Sequence, residues 1–115
     1  MPFLEDLSLS FNNLSDDVSG VEWCRRDGRS PLRHVNLRAN GLWGAPDLRD
    51  CLALFFLDMQ DNMLTGPLPI GTDNRQLSVV RLRNNRLTGT VPDGLWRLPS
   101  VYMVDLQNNR QGAGR

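Results

Sequence analysis

The sequence predicts an α/β fold in which the chain winds as a right-handed solenoid, with a parallel β-sheet on the concave face. Loops, 3-10 turns and one short helix are expected on the convex face. Two observations predict this architecture: a pattern of apolar residues ending in asparagine recurs five times, and a glycine- and proline-containing segment follows the middle copies. Because one copy cannot bury its own apolar face, stacked neighbours must supply the core.

The repeated pattern is L-x-x-L-x-L-x-x-N-x-L, with other apolar residues at some leucine positions. An asparagine amide carries donors and an acceptor, so it can satisfy backbone groups where the chain leaves each strand. A structural asparagine ladder is therefore predicted, its members spaced by 28, 22, 23 and 24 residues: Asn12, Asn40, Asn62, Asn85 and Asn109. One domain, 1–115, is expected, with copies near 4–31, 32–53, 54–76, 77–100 and a partial copy at 101–115, in which Gln111 replaces an apolar residue.

The segments after the third and fourth asparagines read LTGPLP from Leu64 and LTGTVP from Leu87, and a shorter form, LWGAP, begins at Leu42. These segments resemble the L-x-G-x-I-P signature of plant-type leucine-rich repeats, which are found in receptor-like kinase ectodomains and related surface proteins. Glycine permits left-handed backbone and proline fixes φ and blocks helix. The resemblance implies loops and 3-10 turns on the convex side of these copies.

The first copy is longer than the others, and its extra residues lie within 15–26. Ser15 is a good helix N-cap, and the two aspartates after it favour a first helical turn. Apolar residues recur on one side at Val18, Val21 and Cys24. The pattern predicts a short convex helix ending near Gly28, similar to the ribonuclease-inhibitor class of repeat. A second possibility is a remnant of the plant-type N-terminal cap, because GVEWC begins at Gly20.

Charge and motif content exclude several function classes. The 13 basic residues, all arginine, balance 13 acidic ones, so a nucleic-acid or anionic-membrane partner gains no support. No run approaches the ~20 apolar residues of a membrane span, and the N-terminus lacks a signal-peptide pattern. Phosphate-loop, zinc-protease and nucleophile-elbow motifs are absent, and His34 is the only histidine. No cofactor, metal or enzyme activity is predicted.

The two cysteines leave two alternatives open. Cys51 lies three residues before the start of a copy and is expected to be a small buried residue. Cys24 lies on the convex segment, where a nucleophile would need a nearby base, and the only histidine is expected on the opposite face. An enzyme or effector using Cys24 is the minor alternative. A disulfide between the two cysteines is compatible with the sequence, although no pattern requires it.

Residues between the apolar positions should project from the concave face, where strands ~4.8 Å apart bring equivalent residues of neighbouring copies into contact. The apolar ones are expected to form an exposed cluster of the kind that often marks an interaction site. Coverage by a flanking segment outside this chain is the competing interpretation. The predicted partner-binding residues are Phe55, Phe56, Val79, Tyr102 and Met103, together with Arg38 and Arg83.

Charged residues on the same face suggest two different roles. Asp58, Arg81 and Asp105 alternate in sign at equivalent positions, and a cross-strand ion ladder is favoured there over a binding hot spot. Arg38 and Arg83 have no acidic neighbour in their own row. Arginine is enriched at binding hot spots and its planar fork can pair both oxygens of a carboxylate.

The predicted function is recognition of a protein or peptide through the concave face, without nucleic acid and without membrane insertion by this chain. The alternative is a structural fragment of a larger receptor or surface protein whose ligand contacts lie elsewhere. The location would be the cell surface or exterior for such a fragment, and the cytoplasm otherwise. Apolar ends without caps predict possible self-association. The tripeptide from Asn13 to Ser15 matches the glycosylation motif, which matters only in a secreted chain.

Overall fold

The computed structural model describes residues 3–110 and contains seven short β-strands. In chain order they are β1 (Asp6–Ser8), β2 (His34–Asn36), β3 (Trp43–Gly44), β4 (Phe56–Asp58), β5 (Met63–Leu64), β6 (Val79–Arg81) and β7 (Met103–Asp105). Five of them form one parallel sheet in the order β1-β2-β4-β6-β7, so that each strand pairs with the equivalent strand of the next copy. The parallel solenoid predicted from the repeat is confirmed. Gln111 and the rest of 111–115 lie outside the described residues.

The core is a stack of equivalent apolar residues. The central residues of β2, β4 and β6 are in register and fully buried, namely Val35, Leu57 and Val80. Their equivalents in the terminal strands, Leu7 and Val104, pack on the core but are only partly buried. Burying an aliphatic side chain contributes ~1.5–3 kcal/mol, so the middle copies supply most of the stabilisation.

The asparagine ladder connects the copies where the chain leaves the sheet. The Asn62 Oδ1 accepts hydrogen bonds from the backbone N–H groups of Asn40 and Leu42, at 3.0 and 2.9 Å. Its Nδ2 donates to the carbonyls of Leu37 and Met59, at 3.0 and 2.9 Å. One side chain thus satisfies buried groups in two copies. Equivalent bonds are made by Asn40, Asn85 and Asn109.

A second, smaller parallel ladder follows the asparagines. Strands β3 and β5 pair with each other, and Asp17 forms an isolated bridge with Trp43. Three glycines at equivalent positions have positive φ angles of 96°, 81° and 85°: Gly44, Gly66 and Gly89. Beyond Pro92 the chain forms a 3-10 helix, Asp93–Arg97. These are the loops and tight turns that the plant-type segments predicted.

The helix predicted for the first copy is wrong. Between β1 and β2 the described chain contains no helix, because its backbone bonds to the next copy. The Val18 N–H donates to the Trp43 carbonyl at 2.8 Å, and the Trp43 N–H donates to the Asp16 carbonyl at 3.1 Å. Ser15 has a φ of 54°, which an N-cap residue does not adopt. The likeness to the ribonuclease-inhibitor class therefore fails here.

A disulfide joins Cys24 to Cys51 and ties the long first copy to the end of the second. Both cysteines are buried in the core beside Trp23. The Cys51 carbonyl accepts a hydrogen bond from the Asn74 Nδ2 at 2.9 Å. The pairing that the sequence left open is thus present. Because the Cys24 sulfur is bonded, it offers no thiolate, and the nucleophile alternative is wrong for this state.

Candidate functional site

The concave face of the five-stranded sheet carries two aligned rows of side chains. Alternation along a strand places the residues on either side of each buried central residue on this face. The first row, here called the outer row, consists of Asp6, His34, Phe56, Val79 and Met103. The second, here called the polar row, consists of Ser8, Asn36, Asp58, Arg81 and Asp105. Both rows have the register that the repeat predicted.

The outer row brings together three of the predicted apolar residues, but their exposure differs. Phe56 is half-buried, and the His34 ring stacks on it with a centroid distance of 4.4 Å and an interplanar angle of 5°. Met103 is half-buried at the far end of the row. Val79 is only 8% exposed, so the expectation of an exposed valine was wrong. Its register partners in the neighbouring strands, Phe56 and Met103, have larger side chains.

Phe55 and Tyr102 belong to a different row, one residue earlier in each copy. The Tyr102 N–H donates to the Ser78 carbonyl and the Ser78 N–H donates to the Phe55 carbonyl, at 3.1 and 2.8 Å. An open groove of about 700 Å³ is lined by Phe55 together with Arg33, Leu52 and other residues. The Arg33 guanidinium lies 4.7 Å from the Phe55 ring centroid. Tyr102 is 78% exposed. The predicted apolar cluster is therefore divided between the outer row and the row that holds Phe55 and Tyr102.

The ion ladder expected in the polar row does not form. Across residues 3–110, no ion pair joins Arg81 to Asp58 or Asp105. The two carboxylates instead accept the backbone N–H two residues later in their own strand-end turns, from Gln60 at 3.2 Å and from Gln107 at 3.1 Å. The second oxygen of Asp58 accepts the Gln60 side-chain amide at 3.2 Å, and that of Asp105 faces Arg83 at 3.9 Å. The alternating signs therefore do not produce mutual pairing.

Arg81 is a concave-face residue whose importance the sequence analysis missed. Its Nε is buried and has no hydrogen-bond acceptor in the described part of the chain. The Arg81 side chain as a whole is only half-buried and forms no ion pair among the described residues, and its guanidinium has N–H donors besides the one on Nε. The alternation of signs made Arg81 look satisfied.

Arg38 and Arg83 each contact a carboxylate on the next copy. The Arg38 Nε lies 3.3 Å from Asp61, and the Arg83 Nε lies 3.9 Å from Asp105. Arg83 also donates to the Gln107 amide oxygen. The two arginine side chains are 42% and 44% exposed. A guanidinium has five N–H donors, so both retain donors for a ligand.

Asn74 is a second residue that the repeat pattern did not single out. It is fully buried, its Oδ1 accepts the Gly71 N–H at 2.8 Å, and its Nδ2 donates to the Leu48 carbonyl at 3.1 Å. It occupies the position three residues before the strand-start leucine, where the preceding copy has Cys51. Its contacts are structural, and comparison of that position across copies could have found it.

Elsewhere on the surface, charge pairing is local. Hydrogen bonds from the Arg49 guanidinium, at 2.9 and 2.7 Å, hold the pKa of the Asp47 carboxyl below its usual value. The same contact raises the pKa of Arg49. In the part of the chain that the structure describes, no group of three potential metal ligands occurs. No helix there is long and apolar enough to cross a membrane.

Comparison with known proteins agrees with this geometry. The Leucine Rich Repeat family profile matches residues 76–98. The chain is 34% identical over 100 residues to the brassinosteroid LRR receptor kinase BRI1 of Oryza sativa subsp. japonica, covering 85% of this chain and 9% of that protein. It therefore spans about a tenth of that relative.

Two solved structures show the same fold. Pollen Receptor Kinase 3 superposes with a TM-score of 0.73 at 26% identity, over 95% of this chain and 52% of that one. The plant peptide hormone receptor RGFR1, solved in complex with RGF2, superposes with a TM-score of 0.79 at 23% identity, over 94% of this chain and 17% of that one. The chain has the leucine-rich repeat fold. Its repeats are of the plant type found in the receptor-like proteins it resembles.

Proposed function

We propose that the chain binds an extended peptide or protein segment across the concave face. The observation that carries the proposal is the position of Arg81, which is half-buried and forms no ion pair among the described residues, beside the apolar surface of Phe56 and Met103. A ligand lying across the strands would contact both rows together. It would bury apolar side chains against the outer row and supply acceptors to the polar row.

The expected ligand carries at least one carboxylate near an apolar side chain. Arg38 lies in the second copy and Arg81 and Arg83 lie in the fourth, with the third copy between them, so a ligand that crosses the strands could reach all three. A charge-assisted hydrogen bond to a guanidinium is about twice as strong as a neutral one. Phe56 presents a ring already fixed by stacking on His34. A fixed aromatic surface loses little entropy on binding, which favours its use as a contact. Tyr102 and Phe55 remain proposed peripheral contacts.

The disulfide supports a location at the cell surface or outside the cell. Disulfides persist in oxidising compartments and are rare in the cytosol. The Cys24–Cys51 bond is buried and links distant parts of the chain, so it contributes to the folded state. The receptor RGFR1 is a peptide hormone receptor solved with RGF2. That similarity supports a peptide ligand as the class to test.

The second candidate is a structural segment of a larger surface protein whose ligand contacts lie outside this chain. It is favoured by one observation, namely that the chain matches only 9% of the rice receptor kinase and 17% of the solved hormone receptor. Under this alternative, the concave residues would tolerate substitution without loss of binding.

A displayed library of extended peptides, selected on the immobilised chain, tests the proposal. Selected peptides should combine an acidic residue with an apolar one, and Phe56→Ala with Arg81→Ala should weaken their binding about 100-fold, as expected for two contacts of ~1–2 kcal/mol each. The matched control is the double variant Trp96→Ala/Arg97→Ala. It also removes one exposed aromatic side chain and one exposed arginine, but on the return segment. Circular dichroism must show both variants folded.

The control variant should bind with unchanged affinity. Equal binding by the concave-face and control variants would place the contact away from the sheet and reject the proposal. Failure to select any peptide would favour the structural alternative.

A further inference from the structure

The first copy contains one surface site that the recognition function does not use, the tripeptide Asn13-Leu14-Ser15. We propose that Asn13 carries an N-linked glycan and that its first N-acetylglucosamine packs against the ring of Phe11. This tripeptide is the sole match to the N-x-S/T acceptor motif in the sequence. The glycan would cover apolar surface at this end of the solenoid and leave the concave rows free.

Asn13 differs from the ladder asparagines in what its amide does. Asn40, Asn62 and Asn85 each donate from Nδ2 to buried carbonyls, so their nitrogens are inaccessible. Asn13 is exposed, and its Nδ2 donates no hydrogen bond to any residue within 3–110. Its Oδ1 accepts the Ser15 hydroxyl at 3.3 Å, so the two functional groups of the motif lie in contact. A glycan on this nitrogen breaks no bond of the fold.

Phe11 supplies the surface for the sugar. Its ring is 70% exposed and lies two residues before the acceptor, in a turn where Phe11 itself has a φ of 60°. The Arg38 guanidinium lies 5.6 Å from the ring centroid and restricts the ring. The negative ring face attracts the weakly positive C–H groups of a pyranose, and burying both apolar surfaces adds to the attraction. Leu9 and Leu14, close by in the chain, are also partly exposed.

The modification needs a polyprenyl diphosphate oligosaccharide as the donor. The Asn13 Nδ2 attacks the anomeric carbon of the first sugar, and a nitrogen–carbon bond forms as the carbon–oxygen bond to diphosphate breaks. The amide nitrogen loses one proton, and polyprenyl diphosphate is the leaving group. No oxidation or reduction occurs. The inference rests on the secretory location proposed above, because the donor and its transferase act in that pathway.

The test expresses the full chain in eukaryotic cells with a cleavable secretion signal supplied. Mass spectrometry should find one N-glycan on Asn13, absent from Asn13→Gln and Ser15→Ala and retained in Ser15→Thr. Because the signal is supplied, failure here concerns the site alone, whereas failure of peptide binding concerns the concave face. A secreted chain with the disulfide formed and Asn13 unmodified would overturn the proposal.

The packing of the sugar on Phe11 has its own readout. A glycosidase that leaves only the first sugar should preserve the thermal midpoint of the glycosylated protein, and an amidase that removes this sugar should lower it by about 3 °C. In Phe11→Ala the amidase should cause no such shift, because the sugar has lost its contact. An equal shift with and without the ring would show that the glycan acts independently of Phe11, and would overturn that part of the proposal.

Discussion

The first and third copies both have an asparagine at the same position of the repeat, but the two side chains differ in burial and in hydrogen bonding. Asn62, in the third copy, is buried, and its amide bonds to groups in two copies. Asn12, in the first copy, is exposed, and its Nδ2 donates only to the Ser10 carbonyl, at 3.0 Å, among the described residues. The difference teaches that a repeat residue gains its role from the neighbours stacked on both sides.

The leucine positions show the same contrast. Met59 is fully buried between its equivalents, whereas Leu9 is 42% exposed because no described copy covers it on one side. The first copy is stabilised by other contacts. Its return segment inserts Trp23 into the core and is fixed by the Cys24–Cys51 disulfide. The middle of the solenoid thus depends on stacking, and the first copy depends on a covalent link.

The largest expected effect separates the two asparagines directly. Asn62→Ala leaves several buried backbone groups unpaired, each costing ~1–3 kcal/mol, so the free energy of unfolding should fall by about 4 kcal/mol. Asn12→Ala should lower it by less than about 1 kcal/mol, because solvent replaces the lost bond. Urea unfolding followed by circular dichroism measures both. Similar losses for the two variants would contradict the role assigned to stacking.

The disulfide should have the next largest effect. Replacing both cysteines, Cys24→Ser with Cys51→Ser, opens a covalent loop of 27 residues. The free energy of unfolding should then fall by about 3 kcal/mol, since the unfolded chain regains the entropy that the loop removed. Reduced wild-type protein is the control and should unfold at the same urea concentration as the double variant. Unchanged stability after reduction would show that stacking alone holds the first copy.

The smallest effect compares two glycines with similar backbone angles. Gly44 and Gly89 have φ angles of 96° and 85°, so alanine at either position carries a similar backbone strain of ~1–2 kcal/mol. A Cβ at Gly44 would overlap Asp17 and Ser19 of the first copy, whereas at Gly89 the nearest atom is 4.0 Å away. Gly44→Ala should therefore cost about 1–2 kcal/mol more than Gly89→Ala. Thermal unfolding of the pair measures this difference, and equal midpoints would mean that the first copy packs loosely on β3.

The periodic parts of the fold could be predicted because residues at equivalent positions of the repeat adopt the same local geometry. The strands, their register and the buried positions follow from spacing, as Val35, Leu57 and Val80 show. The long first copy could not be predicted in this way. Its apolar spacing suited a helix, but the backbone found hydrogen-bond partners in β3 of the next copy, which no local pattern encodes.

The candidate site was only partly predictable for a related reason. The sequence places Phe56, Arg38 and Arg83 on the concave face, but it does not say which neighbour covers a side chain. Val79 is only 8% exposed, and the aspartates in the strands beside Arg81 bond within their own turns. Cross-strand pairing competes with such local bonds, and the repeat pattern does not encode which of the two forms.

By itself, the sequence determined the solenoid, the register of its parallel sheet and the asparagines that connect its copies, because these depend on periodicity and on the hydrogen-bonding capacity of one amide. The tertiary structure alone decided the extended backbone of the first copy, the Cys24–Cys51 disulfide and the unpaired Nε donor of Arg81. The first two depend on contacts between residues whose separation in the chain follows no repeat, and the third depends on which acceptors lie within reach of one side chain.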